Sequence, residues 1–113
     1  MVKVECILRP NKISEVKDTL LNLGIHGMTV TEVIGCGFQN GHTEALDWNT
    51  ELNLHLLPKV KIEMVVPDDS VDNVIAAIIK VAKTGEIGDG KIFTSPITNA
   101  IRIRTGETGD NAI

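Results

Sequence analysis

Two short stretches near the C-terminus hold residue types suited to binding phosphate. The first is Thr84-Gly85-Glu86-Ile87-Gly88-Asp89-Gly90-Lys91-Ile92-Phe93, in which two glycines flank an aspartate ahead of a lysine. Glycine lets backbone N–H groups come close to a phosphate, and lysine adds a point charge. Alone, Gly88-Asp89-Gly90-Lys91 reads as a tight turn. The second stretch, Arg102-Ile103-Arg104-Thr105-Gly106-Glu107, places two arginines at i and i+2. In an extended segment that spacing puts both on one face. Arginine suits phosphate because its planar fork donates two parallel hydrogen bonds. In combination, the glycine-lysine turn and the arginine pair read as half of a nucleotide site.

Charge placement narrows the choice of partners for such a site. No lysine or arginine occurs between Lys17 and Lys59, while Asp18, Glu32, Glu44, Asp47 and Glu51 lie in that interval. A bound anion must therefore rely on Arg9, Lys59, Lys61, Lys91, Arg102 and Arg104. The net charge of −4 argues against nucleic acid as a partner, because the phosphate backbone needs a basic face. No apolar run is long enough to span a bilayer and no signal peptide is evident, so a cytoplasmic location is expected, with membrane association at most indirect.

Other motifs carry little. Gly35-x-Gly37 reads as turn geometry, and its spacing to Gly41 does not fit G-x-G-x-x-G; no P-loop string occurs. His26, His42 and His55 lack ligand spacing and read as solvent-facing. Cys6 and Cys36 lack Cys-x-x-Cys spacing and are expected to be reduced and structural. Trp48, the single tryptophan, stands among acids and fits either a packed loop anchor or a partner-binding hot spot.

The elements that must position these residues form a repeat. Val2-Lys3-Val4-Glu5 and Val60-Lys61-Ile62-Glu63 each begin an alternating strand that ends at a proline, Pro10 or Pro67. An amphipathic helix follows each. Ile13, Val16, Leu20 and Leu23 form the first apolar stripe, stopped by Gly24. Val71, Val74, Ile75 and Ile78 form the second, started by Asp68, Asp69 and Ser70 and stopped at Thr84-Gly85. Strands over about 28–34 and 91–95 complete two βαβ units. The pattern predicts an α+β, ferredoxin-like βαββαβ sandwich, with four antiparallel strands and both helices on one face. The chain, 113 residues and 42% hydrophobic, supports one domain over 1–113.

Alternation assigns the sheet faces. Val4, Cys6 and Leu8, with Val60, Ile62, Met64 and Val66, should meet the helices. Lys3, Glu5, Ile7, Arg9, Lys61, Glu63 and Val65 face the other way, with enough apolar surface to suggest burial against another copy. The connection over about 35–57 is far longer than a hairpin requires, so it calls for a function. Its end, Leu52-Asn53-Leu54-His55-Leu56, alternates and should extend the next strand outward.

These strings together resemble the PII signal-transduction family. The resemblance rests on the two C-terminal stretches, on Gly27-Met28-Thr29-Val30-Thr31-Glu32-Val33, on Gly41-His42-Thr43-Glu44, and on Leu57-Pro58-Lys59-Val60-Lys61-Ile62-Glu63. It implies a homotrimer with nucleotide sites between neighbouring subunits. The expected effectors are ATP or ADP with Mg2+, and 2-oxoglutarate. Residue by residue, it implies that Thr29, Glu63 and Val65 hold the adenine. Gly35, Gly37, Phe38 and Gln39 would line the phosphates with Gly88, Asp89, Gly90 and Lys91, while Arg102 and Arg104 reach in from the neighbour. Gln39 would help place Mg2+. Lys59 and Arg9, with Gln39 and Gly41, would meet 2-oxoglutarate. The long connection, over about 36–56, would be the T-loop, offering Glu44, Asp47, Trp48 and Glu51 to a target such as an ammonium transporter or a nitrogen-assimilation enzyme. The C-terminal segment would span about 98–113.

Departures from the family pattern are specific. A basic residue commonly stands where Phe38 and Asn40 are, and Glu44-Ala45-Leu46-Asp47-Trp48-Asn49 replaces a Glu-Leu-Tyr-Arg-Gly stretch. The chain has no tyrosine, so tyrosyl nucleotidylation is chemically impossible here. The arginine that enters a channel mouth in ammonium-channel regulators has no match; Asp47 is nearest. Catalysis has little support. A small acylphosphatase-like enzyme on the same fold is the alternative, but Arg9 runs directly into Pro10-Asn11, a poor phosphate cradle. An RNA-binding role would need stacking aromatics on the open sheet, where Phe93 stands alone.

Overall fold

The computed structural model describes residues 1–37 and 55–113. Six elements build the fold: β1 (Val2–Leu8), α1 (Ile13–Asn22), β2 (Thr29–Gly37), β3 (His55–Val66), α2 (Val71–Ala82) and β4 (Lys91–Pro96). The sheet runs β2-β3-β1-β4, with every neighbouring pair antiparallel. β1 and β3 therefore occupy the centre, each strand-helix-strand unit is split by a strand of the other, and the fold is ferredoxin-like.

The core follows from alternation. Val4 pairs with Met64, Cys6 with Ile62 and Leu8 with Val60. All six are buried and pack with Val16 and Leu20 of α1 and Val74, Ile78 and Ala82 of α2. Both helices thus lie on one face of the sheet, as the sequence predicts. Each helix begins after a 3-10 turn, Pro10–Lys12 or Asp68–Ser70. Proline fixes its own φ and has no N–H to lose at a helix start, which explains the first of these. Gly24, at φ 83°, ends α1 as expected.

The opposite face carries a mixed charge network. Lys3 lies 3.3 Å from Glu63, and Lys61 lies 3.6 Å from Glu5 and 3.4 Å from Glu63. Pairs exposed to solvent in this way are well screened and contribute little individually. Hydrogen bonding with Glu5, then with Lys3, holds the Glu63 carboxyl below its ordinary range.

Two readings of the chain are corrected here. Gly35 and Gly37 are not a turn: β2 runs three residues past Ile34, and its ladder with β3 continues through Cys36↔Leu56 and Gly37↔His55. The glycines adopt strand geometry because the partner strand is long enough to pair with them. The ladder also carries strand into the start of the stretch read as loop, while at its end His55 and Leu56 extend β3 outward as expected. Cys36 is exposed and adds nothing to the core, whereas Cys6 is buried, its thiol pushed up to about 12 mainly by that burial. Both thiols are free.

Candidate functional site

At one end of the sheet, the turn between α2 and β4 meets the ends of β1 and β2. Gly85, Gly88 and Gly90 have φ of 90°, 107° and 99°, a region that side chains other than glycine's avoid. At Gly90 a steric requirement is added, because a Cβ there would sit 1.7 Å from the Ile7 carbonyl oxygen. The turn is therefore pressed directly against β1.

Asp89 organises the turn from within. Its carboxylate accepts from the Thr84 hydroxyl, from the Thr84 N–H at 2.8 Å and from the Gly85 N–H at 2.9 Å. Arg9 Nε donates to the same carboxylate at 3.2 Å. The Thr84 hydroxyl first, then the two amides and the guanidinium, hold the Asp89 carboxyl well below the usual carboxylate range despite some desolvation. Asp89 is thus an internal anchor of the turn.

Two cations hold the turn from outside. Arg9 Nη2 donates to the Ile87 carbonyl at 3.0 Å, and Lys59 Nζ donates to the Gly88 carbonyl at 2.7 Å. Burial, then the neighbouring Arg9 charge, pushes Lys59 below the ordinary lysine range. Gly35 makes room for this lysine, since a Cβ there would lie 2.9 Å from Lys59 Cγ. A cleft of about 390 Å³ opens beside the turn, lined by Gly35, Gly37, Lys59, Gly88, Gly90 and Lys91 together with Ile7, Cys36, Leu57, Ile87 and Phe93. The arrangement offers close backbone and two lysines to an anion, with apolar walls.

Thr29, Glu63 and Val65 lie elsewhere. Thr29 pairs with Glu63 at the start of β2. These residues line a separate cleft of about 560 Å³, with Lys3, His26, Gly27 and the C-terminal Asp110, Ala112 and Ile113. Gly35 lies six residue steps along β2 from Thr29, roughly 20 Å of strand. One chain therefore does not bring the two groups together.

Arg102 and Arg104 also differ from expectation. They do not sit on an extended segment: the Gly106 N–H donates to the Arg102 carbonyl at 2.7 Å, and the Arg102 N–H donates to the Glu107 carbonyl at 2.9 Å. Gly106, at φ 74°, permits this reversal, and a bridge between Ile101 and Thr108 closes it. Arg102 Nη1 lies 3.2 Å from Glu107 Oε1, and Arg104 is exposed. Neither lines the cleft beside the 84–91 turn.

Phe38, Gln39, Gly41, His42, Glu44, Asp47, Trp48 and Glu51 lie outside the described residues. His26 is exposed, as its sequence context suggests. Sequence reasoning missed Ile7, Leu57 and Ile87 as cleft walls and Thr84 as the partner of Asp89. The alternation of β1 and β3 could have exposed the first two, since Ile7 and Leu57 share the open face with Lys61 and Lys59. The five-residue step from Thr84 to Asp89 carries no comparable signal.

Among the described residues, no helix is long and apolar enough to cross a membrane. A family model described as Nitrogen regulatory protein P-II matches residues 1–107. Among curated relatives, the Nitrogen regulatory protein P-II of Rhodobacter capsulatus is 57% identical over 113 residues, covering all of both chains. Nitrogen regulatory protein P-II 1 of Escherichia coli is 54% identical, and the Haemophilus influenzae protein is 53% identical, again over the full length of each. Regulatory names of this kind fit a protein that acts by binding, and they lend no support to the phosphate-cleaving alternative. The chain belongs to the nitrogen regulatory protein P-II family of signalling regulators.

Proposed function

We propose that this chain senses nitrogen and energy status by binding ATP or ADP between subunits of a homotrimer, and that nucleotide, Mg2+ and 2-oxoglutarate together set the conformation of the long connection that contacts a regulated protein. The observation that carries this reading is the separation of the candidate residues. The 84–91 turn, Gly35, Gly37 and Lys91 stand at one end of the sheet, while Thr29, Glu63 and Val65 stand some six strand residues away. A nucleotide spans both groups only if the turn of one copy faces the Thr29 cleft of another. The 102–107 hairpin belongs to the same C-terminal segment as Asp110, Ala112 and Ile113, which line the Thr29 cleft. Its arginines then approach the phosphates from the copy that holds the adenine.

In this reading the turn and Lys91 take the phosphates, Lys59 takes a 2-oxoglutarate carboxylate, and no covalent chemistry is performed. Arg9 is committed to Asp89 and Ile87, so its part is to hold the turn. Gln39, expected to assist Mg2+, and the contact residues Glu44, Asp47, Trp48 and Glu51 enter from sequence alone. An ammonium transporter or a nitrogen-assimilation enzyme in the cytoplasm is the expected type of target. Calorimetric titration with ATP, ADP and AMP, each with and without Mg2+ and 2-oxoglutarate, tests the proposal. Micromolar adenine-nucleotide binding, altered by 2-oxoglutarate when Mg-ATP is present, is the expected outcome. Absence of all adenine-nucleotide binding would overturn it.

A further inference from the structure

Lys59 is already engaged where the resemblance reserves it for a second effector. Its stem crosses the space that Gly35 leaves open, and its ammonium donates to the Gly88 carbonyl at 2.7 Å. Arg9 grips the adjoining Ile87 carbonyl and the Asp89 carboxylate. Two like charges are thus drawn together around one turn, an arrangement that costs Coulomb energy unless the turn's oxygens compensate. Those oxygens belong to residues 87–89, next to Gly90 and Lys91 on the cleft. A hydrogen bond from a charged donor is among the stronger single contacts a surface turn can have.

We propose that Lys59 is a positioning residue for the 84–91 turn in the absence of any dicarboxylate, and that it thereby sets nucleotide affinity on its own. The second half of this statement rests on the nucleotide reading above; the first half does not. Lys59 stands on the central strand β3, paired with Val33 of β2 and one residue beyond the last pair with β1, Leu8↔Val60. It ties the turn to the rigid part of the sheet, while Asp89 ties the turn only to itself and to Arg9. Loss of the ammonium leaves the Gly88 carbonyl to water and frees the turn three residues before Lys91.

The test compares Lys59→Gln and Lys59→Arg with the unaltered full chain. In ligand-free protein, NMR amide exchange is read at Thr84 and Gly85, whose N–H groups end on Asp89. Lys59→Gln should speed their exchange by about tenfold or more, with the unfolding midpoint and the core amides of β1 and β3 unchanged. Lys59→Arg, which keeps a charged donor, should restore most of the protection. Without 2-oxoglutarate, ADP affinity should fall about tenfold in Lys59→Gln and recover in Lys59→Arg. Unchanged exchange at Thr84 and Gly85, or faster exchange spread evenly over the core, would overturn the positioning role. Faster local exchange with normal ADP affinity would overturn its link to the nucleotide. If the unaltered chain binds no ADP, the nucleotide reading fails while the exchange data still decide what Lys59 does to the turn.

Discussion

At the scale of single residues, the 84–91 turn depends on the bonds that Asp89 gathers and on the missing side chain at Gly90. Asp89 is held ionised by the Thr84 hydroxyl and by converging N–H donors. A carboxylate depressed in this way adds stability that is present above its ordinary value of 3.8 and is lost as pH falls toward the lower folded value. Asp89→Asn should therefore be less stable than the unaltered chain at neutral pH. The gap should narrow as unfolding is followed below pH 3.8. An NMR titration of the Thr84 and Gly85 amides gives the matching local result: no inflection near 3.8, and movement only at more acid pH. Gly90→Ala acts differently, through sterics. A positive φ of 99° costs an alanine about 1–3 kcal/mol, and overlap with the Ile7 carbonyl adds a further ~1–3 kcal/mol. Denaturant unfolding of Gly90→Ala should show a loss within the sum of those ranges. Phe38 is the residue-scale departure that bears on ligand choice. If a basic side chain there normally meets the terminal phosphate, Phe38→Arg should strengthen ATP relative to ADP by about 1–3 kcal/mol. Equal ATP-to-ADP preference in the two proteins, measured by calorimetry, would contradict this.

At the scale of elements, helix faces and strand faces make separate predictions. Leu20 of α1 is fully buried, whereas its neighbour Leu21 is 40% exposed. Leu20→Ala should cost about 2–5 kcal/mol in denaturant unfolding, and Leu21→Ala under about 1 kcal/mol. Helical spacing puts Leu20 on the buried face, but it also puts Leu23 there, and Leu23 lies just past the end of α1 and is 46% exposed, because the helix stops before that position can turn inward. The strands were legible: Val4, Cys6 and Leu8 alternate with Lys3, Glu5 and Ile7, and only one set can meet the helices. What alternation does not reveal is where pairing stops. Gly35 and Gly37 look like a turn because glycine so often is one, yet β3 offers them partners and Lys59 needs the missing Cβ at Gly35. Arg102 and Arg104 look coplanar by parity, but Gly106 closes a reversal that parity cannot register. The candidate site was legible as a set of residue types around 88–91. The prior commitments of Arg9 to Asp89 and of Lys59 to the Gly88 carbonyl were not, since contacts across 80 and 29 residues leave no local pattern.

At the scale of the whole molecule, one chain presents an incomplete set. The Gly35 and Lys91 cleft, the Thr29 and Glu63 cleft and the 102–107 hairpin are separate features of its surface. The helix-free sheet face is laced by Lys3, Glu5, Lys61 and Glu63, of which Lys3 and Glu63 also line the Thr29 cleft. A closed ring of three copies would bring each copy's turn to its neighbour's hairpin through one repeated head-to-tail contact. Subunit complementation tests this most directly. A Lys91→Gln chain and an Arg102→Gln/Arg104→Gln chain, each weak in ADP binding alone, are unfolded, mixed and refolded together. In every mixed trimer, one contact joins an intact turn to an intact arginine pair, so calorimetry should recover about one tight ADP site per mixed trimer. A mixture that binds ADP no better than its two parents would contradict a site shared between subunits.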